Sequence, residues 1–291
     1  MTSLPPPPPP PVAFPQPGPP PELPELPEGL SPQPRWPAWT APVALVAAFV
    51  VAVFGAILIG TVAAAGGASL EHPPPSVEIL ATAFQDAALV GSALLFARIS
   101  RRPRPWHFGL RATRFGPALG WMALAWVSFI GFSAVWVTAL DIKSKDRLPD
   151  ELGADESTVA LLAVAVLVCV IAPIAEEVFF RGYFFNALRS WKGLWPAAIL
   201  TGLVFGAIHV GSAPVPFLVP LAVFGFALCL LYWRTGSLYP CIALHALNNS
   251  LAFGVSQHWD WQIPVLMVVS LTVIGGVVLP LGGVRRRPRL A

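Results

Sequence analysis

Charged residues are scarce in this chain of 291 residues. Asp, Glu, Lys and Arg together make up 11% of the sequence, whereas 55% of the residues are hydrophobic and the mean hydropathy is +0.68. A soluble domain carries about 25% charged residues. The composition therefore excludes an ordinary soluble protein and predicts a polytopic membrane protein. The net charge is only +3, and we expect no nucleic-acid partner.

Cysteine is also scarce, which excludes a disulfide-stabilised scaffold. The three cysteines, Cys169, Cys229 and Cys241, all lie in apolar runs, and their spacing matches neither a disulfide framework nor a zinc knuckle. We interpret them as small buried hydrophobic residues. A cleavable signal peptide is not expected either, because the first apolar run begins about 40 residues into the chain and is too long for one.

Proline, in contrast, dominates the first 40 residues. An unbroken run at Pro5–Pro11 is followed by Pro-Glu-Leu repeats through Glu28. This composition favours a solvated polyproline II chain and cannot build a hydrophobic core. We predict a disordered cytoplasmic arm at 1–40, which is either a docking segment for a proline-reading partner or a semi-rigid tail.

Eight apolar segments follow, and each is long enough to cross about 30 Å of hydrocarbon, the fifth and sixth being near the short limit. They lie near 41–66, 77–97, 115–140, 158–180, 195–212, 215–233, 238–256 and 262–282. The sequence thus predicts an all-α membrane protein of about eight transmembrane helices. We divide it into three N-terminal helices at 41–140, a four-helix catalytic core at 155–256, and a last helix with a basic tail at 257–291.

The basic residues predict the orientation of these helices. With a cytoplasmic amino terminus and eight crossings, 15 of the 18 Lys and Arg residues lie on the cytoplasmic side. The three exceptions, Lys143, Lys145 and Arg147, share one acid-rich loop. Because cytoplasmic loops carry the excess of basic residues, we expect a multi-pass protein of the cell membrane with both termini in the cytoplasm.

Two adjacent carboxylates, Glu176 and Glu177, follow the fourth apolar run, where charge is expensive. Glu177 and Arg181 are four residues apart, so they share a helix face and can form an ion pair. Glu176 points away from that face, which leaves it free for chemistry. Pro173 lies one turn earlier and removes a backbone hydrogen bond, so we expect an irregular helix beside the carboxylate.

Polar residues also interrupt the fifth and seventh segments. Phe205 and His209 share one helix face, and His245 and Asn249 share another. Taken alone, each histidine is equally explained as a hydrogen-bonding contact between membrane helices. However, rises of 1.5 Å per residue place the carboxylate, both histidines and the asparagine at compatible depths, so we expect them to meet in one polar cavity.

The ordered motifs resemble a known family. Glu-Glu-x-x-x-Arg at 176–181, Phe-x-x-x-His at 205–209 and His-x-x-x-Asn at 245–249 are similar to those of the CAAX-processing and bacteriocin-immunity intramembrane proteases, which include the Rce1-type prenyl-protein endopeptidases. The resemblance implies an eight-helix layout and intramembrane peptide hydrolysis. It implies four catalytic residues, Glu176, His209, His245 and Asn249. It implies supporting roles for Glu177, Arg181 and Phe205.

Two versions of the chemistry fit these residue types. In one, Glu176 with His209 activates a water molecule, while His245 and Asn249 polarise the scissile carbonyl and stabilise the oxyanion. In the other, Glu176, His209 and His245 bind a zinc ion, and water is the fourth ligand. The family is commonly labelled metalloprotease, but the sequence provides no evident partners for zinc-bound histidines, which favours the metal-free version.

Besides the protease, two other classes of protein remain open at this point. The chain is either a protease acting on membrane-associated or lipidated proteins, a catalytically silent immunity or scaffold protein, or a transporter. Gln85 and Asp86 on the second segment keep the transporter open as an alternative, because an isolated intramembrane acid needs a partner. No inverted repeat supports it.

Overall fold

The computed structural model describes residues 36–100, 102–144 and 148–282. Most of the predicted arm and most of the basic tail, 1–35 and 283–291, lie outside the described residues. The described residues form eight long helices: α1 Thr40–Ala65, α2 Pro75–Ala97, α3 Phe115–Ala139, α4 Thr158–Lys192, α5 Leu194–Ala207, α6 Leu218–Thr235, α7 Tyr239–Ser256 and α8 Gln262–Leu281. No strand occurs within the described ranges, and the all-α class with about eight helices is confirmed.

Six of these helices are long and apolar enough to cross a membrane. Apolar side chains such as Phe54, Val127 and Val268 point outward from them, as a surface facing lipid requires. The chain is therefore a multi-pass membrane protein. The expectation that all eight segments reach spanning length is wrong for α5, whose 14 residues rise only about 21 Å. The polar α7 is not among the six either.

Helix α4 forms the centre of the molecule and continues beyond its apolar segment. The apolar segment predicted from the sequence ends near residue 180, and the helix continues to Lys192. The charged last turns carry Arg189 and Lys192, which end the apolar run without ending the backbone hydrogen bonding. The guanidinium carbon of Arg189 lies 5.6 Å from the centre of the Phe185 ring, so the extension is held against the core.

Two wide, π-helical turns lie in α4, at Leu167–Ile171 and Val178–Phe184. In the first, the amide of Ala172 donates to the carbonyl of Leu167, five residues back. The equivalent partner of the next carbonyl, that of Val168, is Pro173, which has no N–H to donate. The irregularity expected at Pro173 therefore takes the form of a wide turn that leaves the Val168 carbonyl without a backbone donor.

A side chain completes the second wide turn. Nδ2 of Asn186 donates to the carbonyl oxygens of Arg181 and Gly182, both at 2.9 Å, and contacts the Tyr232 hydroxyl at 3.0 Å. Asn186 is buried, and buried backbone carbonyls need such partners. The side chain thus replaces hydrogen bonds that the wide turn leaves unmade.

Helices α5 and α6 form a closely packed hairpin through glycine. A Cβ atom at Gly202 would lie 2.7 Å from the carbonyl oxygen of Ala222 and 2.9 Å from the amide nitrogen of Phe226. From the opposite helix, a Cβ at Gly225 would lie 2.8 Å from that of Phe205. The close approach expected from the Gly202 and Gly206 repeat is present, because only glycine allows the two backbones this near.

The amino-terminal end of the described chain is also part of the core. Trp36 is 1% exposed, and its ring centre lies 5.3 Å from that of Phe108 and 5.1 Å from that of Tyr183. The Tyr183 hydroxyl donates to Oγ1 of Thr40 at 2.7 Å. The last residues assigned to the proline-rich arm therefore pack against α4 instead of extending into solvent.

Candidate active site

The ion pair predicted from helix spacing forms in α4. Nη1 of Arg181 lies 2.6 Å from Oε1 of Glu177, and neither side chain is exposed. Nη2 of Arg181 donates to the carbonyl of Gly225 in α6 at 3.0 Å. The guanidinium carbon lies 4.6 Å from the centre of the Phe205 ring in α5. Arg181 thus joins three helices while its charge is balanced inside the protein, as a buried charge requires.

His245 of α7 lies between the two glutamates. Its Nδ1 is 2.8 Å from Oε1 of Glu177, and its Nε2 is 3.9 Å from Oε2 of Glu176. The rings of Phe205 and Phe224 meet the imidazole nearly edge to face, with centres 5.8 and 5.6 Å away. Glu177 and the two rings fix the imidazole so that Nε2 faces the second carboxylate.

The contact between Glu177 and His245 was not predicted from the sequence. The spacing rule for helices relates residues three or four positions apart, whereas these two are 68 positions apart on different helices. The sequence assigned Glu177 only to the ion pair with Arg181. In the structure the same carboxylate oxygen also orients a predicted catalytic histidine.

Glu176 keeps part of its binding capacity free. Its side chain is 13% exposed, and Oε2 has no hydrogen-bond partner in the described part of the chain. A buried polar oxygen of this kind calls for an explanation by function or by bound water. The gap of 3.9 Å to Nε2 of His245 is too long for a direct hydrogen bond, and a bridging water fits such a separation.

His209 does not lie within a helix, contrary to expectation. Helix α5 ends at Ala207, and His209 belongs to the turn that follows. The turn still keeps His209 beside Phe205: the two ring centres are 5.1 Å apart, and Nδ1 lies 2.7 Å from the Phe205 carbonyl oxygen. Because a carbonyl only accepts hydrogen bonds, Nδ1 carries the hydrogen and Nε2 is left to contact other groups.

Phe205 contacts both histidines. Its ring centre lies 5.1 Å from that of His209 and 5.8 Å from that of His245. The structure therefore brings Glu176, Glu177, Arg181 and His245 into one connected group, and His209 is next to this group through its contact with the Phe205 ring. His209 is partly exposed, whereas His245 is buried.

Asn249 of α7 forms a hydrogen bond to the Val168 carbonyl of α4. Its Nδ2 donates to the Val168 oxygen at 2.9 Å, the oxygen that Pro173 leaves without a backbone donor. One amide hydrogen of Asn249 is thereby used to join α7 to the wide turn. The other amide hydrogen and the side-chain oxygen remain for further contacts.

The described residues do not assemble the three ligands of the zinc alternative. Within 36–100, 102–144 and 148–282, no group of three His, Cys, Asp or Glu side chains is arranged to hold a metal ion. Glu176 and His245 approach one another, but Nδ1 of His245 is engaged with Glu177. A tetrahedral zinc site with three protein ligands does not follow from these positions.

Comparison with known proteins points to one family. Residues 158–251 match the family model described as type II CAAX prenyl endopeptidase Rce1-like. This region includes α4 to most of α7 and contains every predicted site residue. No solved structure matches the chain significantly.

Relatives occur in two bacteria. A 24.3 kDa uncharacterized protein of Escherichia coli is 31% identical over 109 residues, which are 36% of this chain and 50% of the relative. The "Putative membrane peptidase YdiL" of Bacillus subtilis is 30% identical over 33% of this chain and 41% of its own length. The uncharacterized protein YyaK of Bacillus subtilis is 29% identical over 42% and 45%. The chain spans half or less of the length of these relatives. Over residues 158–251, the resemblance predicted from the three motifs is confirmed: this region is similar to the Rce1-like CAAX prenyl endopeptidases.

Proposed function

We propose that the protein is an intramembrane endopeptidase that hydrolyses a peptide bond of a membrane-associated protein or peptide. The observation that carries this proposal is the gap between Oε2 of Glu176 and Nε2 of His245, 3.9 Å wide and bounded by a carboxylate oxygen without a partner. A water molecule held there has a base on one side and an imidazole on the other. The match of the surrounding helices to an endopeptidase family supports the same reaction class.

In the first half of the reaction, Glu176 acts as the general base. It takes a proton from the water, and the oxygen of the resulting hydroxide bonds to the carbonyl carbon of the scissile peptide. The carbonyl oxygen becomes an oxyanion. His245 in its protonated form donates from Nδ1 to Glu177 and from Nε2 to that oxyanion, so Glu177 and Arg181 act through the orientation of the ring.

In the second half, the tetrahedral intermediate collapses. The carbonyl re-forms, the bond between carbon and nitrogen breaks, and the proton held by Glu176 passes to the leaving amine. The carboxylate of Glu176 is then restored, and the products are one new carboxyl and one new amino terminus. No redox partner is needed.

The geometry changes one pairing that the sequence suggested. The sequence associated Glu176 with His209, whereas we pair Glu176 with His245, because Nε2 of His245 lies 3.9 Å from Oε2 of Glu176. We assign His209, which is partly exposed beside the buried Phe205, to substrate binding through its Nε2. Asn249 retains a second amide hydrogen for the oxyanion, with its first held by Val168.

The zinc version is tested separately. The positions of Glu176, His209 and His245 give no three-ligand site in the described chain, so no step above uses a metal. Dialysis of the purified protein against a strong chelator should leave cleavage unchanged, and metal analysis should find less than one zinc per chain. Loss of cleavage that zinc restores would establish the metal-dependent version instead.

Labelling of new amino termini in membranes tests the proposed activity. Membranes of the expressing host are incubated with the wild type, with Glu176→Gln, or with Glu71→Gln, which makes the same substitution at an exposed loop carboxylate. We expect a set of termini that the wild type and Glu71→Gln produce and Glu176→Gln does not. Identical termini in all three samples would contradict the protease and favour a non-catalytic membrane protein.

The Glu176→Gln variant also serves to identify substrates. Glu176→Gln retains the shape of the site without the base, so it should hold an uncleaved substrate long enough for co-purification. Agreement between the captured protein and the mapped termini would define the substrate. We further propose the cell membrane as the location, with both termini in the cytoplasm, because of the bias of basic residues.

A further inference from the structure

Three arginines meet where α3 begins and α6 ends. They are Arg111, Arg114 and Arg234. Two hydrogen bonds hold this corner together: Oγ1 of Thr113 donates to the carbonyl oxygen of Thr235 at 3.0 Å, and Nε of Arg111 donates to the carbonyl oxygen of Gly236. Arg114 immediately precedes α3, Arg234 lies in the last turn of α6, and both are exposed. The chain thus gathers three positive charges at the end of a membrane-spanning helix.

No acid of the described chain neutralises these charges. None of the three arginines forms an ion pair with a described carboxylate, and neither 87–140 nor 178–259 contains an Asp or Glu. Two indoles hold Arg234 instead: its guanidinium carbon lies 4.6 Å from the ring centre of Trp121 and 4.4 Å from that of Trp233. Such contacts orient a guanidinium without cancelling its charge. The corner therefore attracts an anion from outside the folded chain.

An apolar groove of about 260 Å³ runs from this corner between α3 and α6. Its walls include Trp121, Leu124 and Phe129 of α3 and Val223, Phe226 and Leu231 of α6. From Leu231 to Val223, helix α6 rises about 12 Å, which is less than half of the hydrocarbon thickness of about 30 Å. The groove thus lies within one leaflet, and Arg234 lies at the end nearer the membrane surface.

We propose that the groove binds an anionic phospholipid, with one acyl chain between α3 and α6 and the phosphate against Arg234. The groove alone would accept the chain of any lipid, whereas the unneutralised arginines select a negative headgroup. A guanidinium matches phosphate geometry through paired N–H donors, and the two indoles already hold that of Arg234 in place. A free phosphate ion would meet the charge and leave the groove empty, so charge and groove together indicate an amphipathic anion.

The inner end of the groove approaches the candidate active site. Phe129 lines the groove, and its ring centre lies 4.7 Å from that of Phe224. The Phe224 ring in turn lies 5.6 Å from the imidazole of His245. An acyl chain packed against Phe129 limits the movement of both rings and so keeps His245 aligned, and alignment of a catalytic group affects the rate steeply. This effect rests on the proposed function, whereas lipid binding itself does not.

Native mass spectrometry of the detergent-purified protein tests lipid binding without a cleavage assay. The probes are phosphatidylglycerol, phosphatidylcholine and glycerol 3-phosphate, which has the phosphate but no acyl chain. We expect phosphatidylglycerol to bind most tightly and Arg234→Gln to weaken this binding by about fivefold. Arg98→Gln is the matched control, because Arg98 is an exposed arginine at the end of α2 that does not line the groove. Equal affinities for the two lipids, or equal losses in the two variants, would overturn the site.

A second pair of variants tests the groove. Leu124→Trp places a larger side chain in the groove and should weaken phosphatidylglycerol binding several-fold. Val127→Trp makes the same kind of change at an exposed position of α3 that does not line the groove, and binding should persist. Equal effects of the two substitutions would overturn the acyl-chain site.

The glutamates of the amino-terminal segment are the competing occupants of the corner. Deletion of residues 2–35 removes Glu22, Glu25 and Glu28, and the affinity for phosphatidylglycerol should not change. Phosphatidylglycerol binding that appears only after this deletion would assign the corner to these glutamates and overturn the lipid site.

Cleavage of a synthetic peptide that spans the mapped cleavage site links the lipid to the reaction. We expect kcat to be higher in vesicles that contain phosphatidylglycerol than in vesicles of phosphatidylcholine alone. This difference should be absent in Arg234→Gln and in Leu124→Trp. If phosphatidylglycerol binds and kcat is the same in both kinds of vesicle, the effect on His245 is overturned and the lipid site stands. A wild type that binds the lipid and cleaves nothing would overturn the proposed function alone.

Discussion

Two adjacent residues, Glu176 and Glu177, serve different purposes because a helix turns about 100° per residue. Oε1 of Glu177 contacts both Arg181 and His245, at 2.6 and 2.8 Å. Oε2 of each glutamate has no hydrogen-bond partner among the described residues, but Glu177 is fully buried in its ion pair, whereas Glu176 is 13% exposed and its Oε2 lies 3.9 Å from Nε2 of His245. Glu177 therefore supports the structure and aligns the imidazole of His245, and Glu176 remains for proton transfer. This division can be measured by comparing stability with activity.

Removal of Glu177 should strand a charge. Glu177→Ala leaves Arg181 without its anion in the protein interior, so we expect a loss of about 3–5 kcal/mol in the free energy of unfolding. Arg181→Ala should cost a similar amount. The double variant should lose less than the sum, because neither charge is then unpaired. Thermal unfolding in detergent measures the coupling, and additive losses would contradict the buried pair.

Activity should follow a different rule in the same variants. His245 loses its orienting carboxylate in both Glu177→Ala and the double variant, so the double variant should recover stability without recovering cleavage. Lys143→Ala, which breaks an exposed ion pair with Asp141, should change neither quantity. If Glu177→Ala keeps full stability and loses all activity, Glu177 is the catalytic carboxylate and the division is wrong.

The contact between Asn249 and Val168 predicts a second coupling. Pro173→Ala restores a backbone N–H that is able to bond the Val168 carbonyl, which Asn249 now serves at 2.9 Å. Asn249→Ala alone should lower stability by about 1–3 kcal/mol, because it leaves a buried carbonyl unpaired. The same substitution in the Pro173→Ala background should cost clearly less. Equal losses in both backgrounds would show that the carbonyl is not the reason.

At the scale of helices, the hydrophobic pattern of the sequence predicted which segments form helices. It predicted the ends of those helices less well. Helix α4 extends past residue 180 because helical hydrogen bonds continue in charged sequence as readily as in apolar sequence. Helix α5 stops at Ala207 although the apolar run continues, because the chain turns through Gly211, which has a positive φ of 98°. Hydropathy measures which residues prefer lipid, and it does not report where the backbone turns.

Contacts within the site also divide into those that the sequence predicts and those that only the structure shows. Glu177 with Arg181, and Phe205 with His209, are four residues apart and were predicted from spacing. Glu177 with His245 joins two helices, and its geometry depends on how those helices pack. Spacing fixes directions on one helix and carries no information on the rotation of the next helix against it, so contacts of the second kind required the structure.

The glycine hairpin of α5 and α6 leads to a prediction for packing. Gly202→Ala places a methyl group against the backbone of Ala222 and Phe226, which cannot yield as a flexible side chain can. We expect a loss of about 1–3 kcal/mol in stability and reduced cleavage, because Phe205 and His209 follow on the same helix. Thermal unfolding and the peptide assay measure the two effects.

Gly120→Ala provides the control for this prediction. An added Cβ at Gly120 of α3 would meet no atom within 4 Å, so the substitution should be neutral or slightly stabilising, as alanine favours helices over glycine. A matching loss in Gly120→Ala would show that glycine flexibility, and not close packing, is what the protein needs.

For the whole molecule, the proposed cytoplasmic position of both termini does not depend on whether α5 crosses the membrane. If the short α5 does not reach the far side, α5 and α6 still enter and leave on the same side as a hairpin. We therefore expect cysteines introduced at Thr2 and Leu290 to react with a membrane-impermeant reagent only in permeabilised cells. The three native cysteines are buried and should give little background. Labelling of one terminus in intact cells would contradict the orientation.

Truncations test where the folded protein begins. Deletion of residues 2–35 should leave kcat in detergent nearly unchanged, since every contact of the site lies elsewhere. Deletion of residues 2–40 also removes Trp36 and Thr40, both buried against Tyr183, and should destabilise the protein markedly. Equal behaviour of the two truncations would show that the Trp36 contact contributes nothing.

The burial of Trp36 also fixes the point at which the preceding 35 residues join the folded protein. Trp36 packs on Tyr183, two turns of α4 beyond Glu176, and a chain of 35 residues reaches at most about 120 Å. A protein that binds this segment is thereby tethered near the site, and its local concentration there rises without any change in the site itself. For a substrate recruited in this way, deletion of 2–35 should raise the apparent KM and leave kcat as it was. Recruitment and chemistry would then be separable properties of one chain.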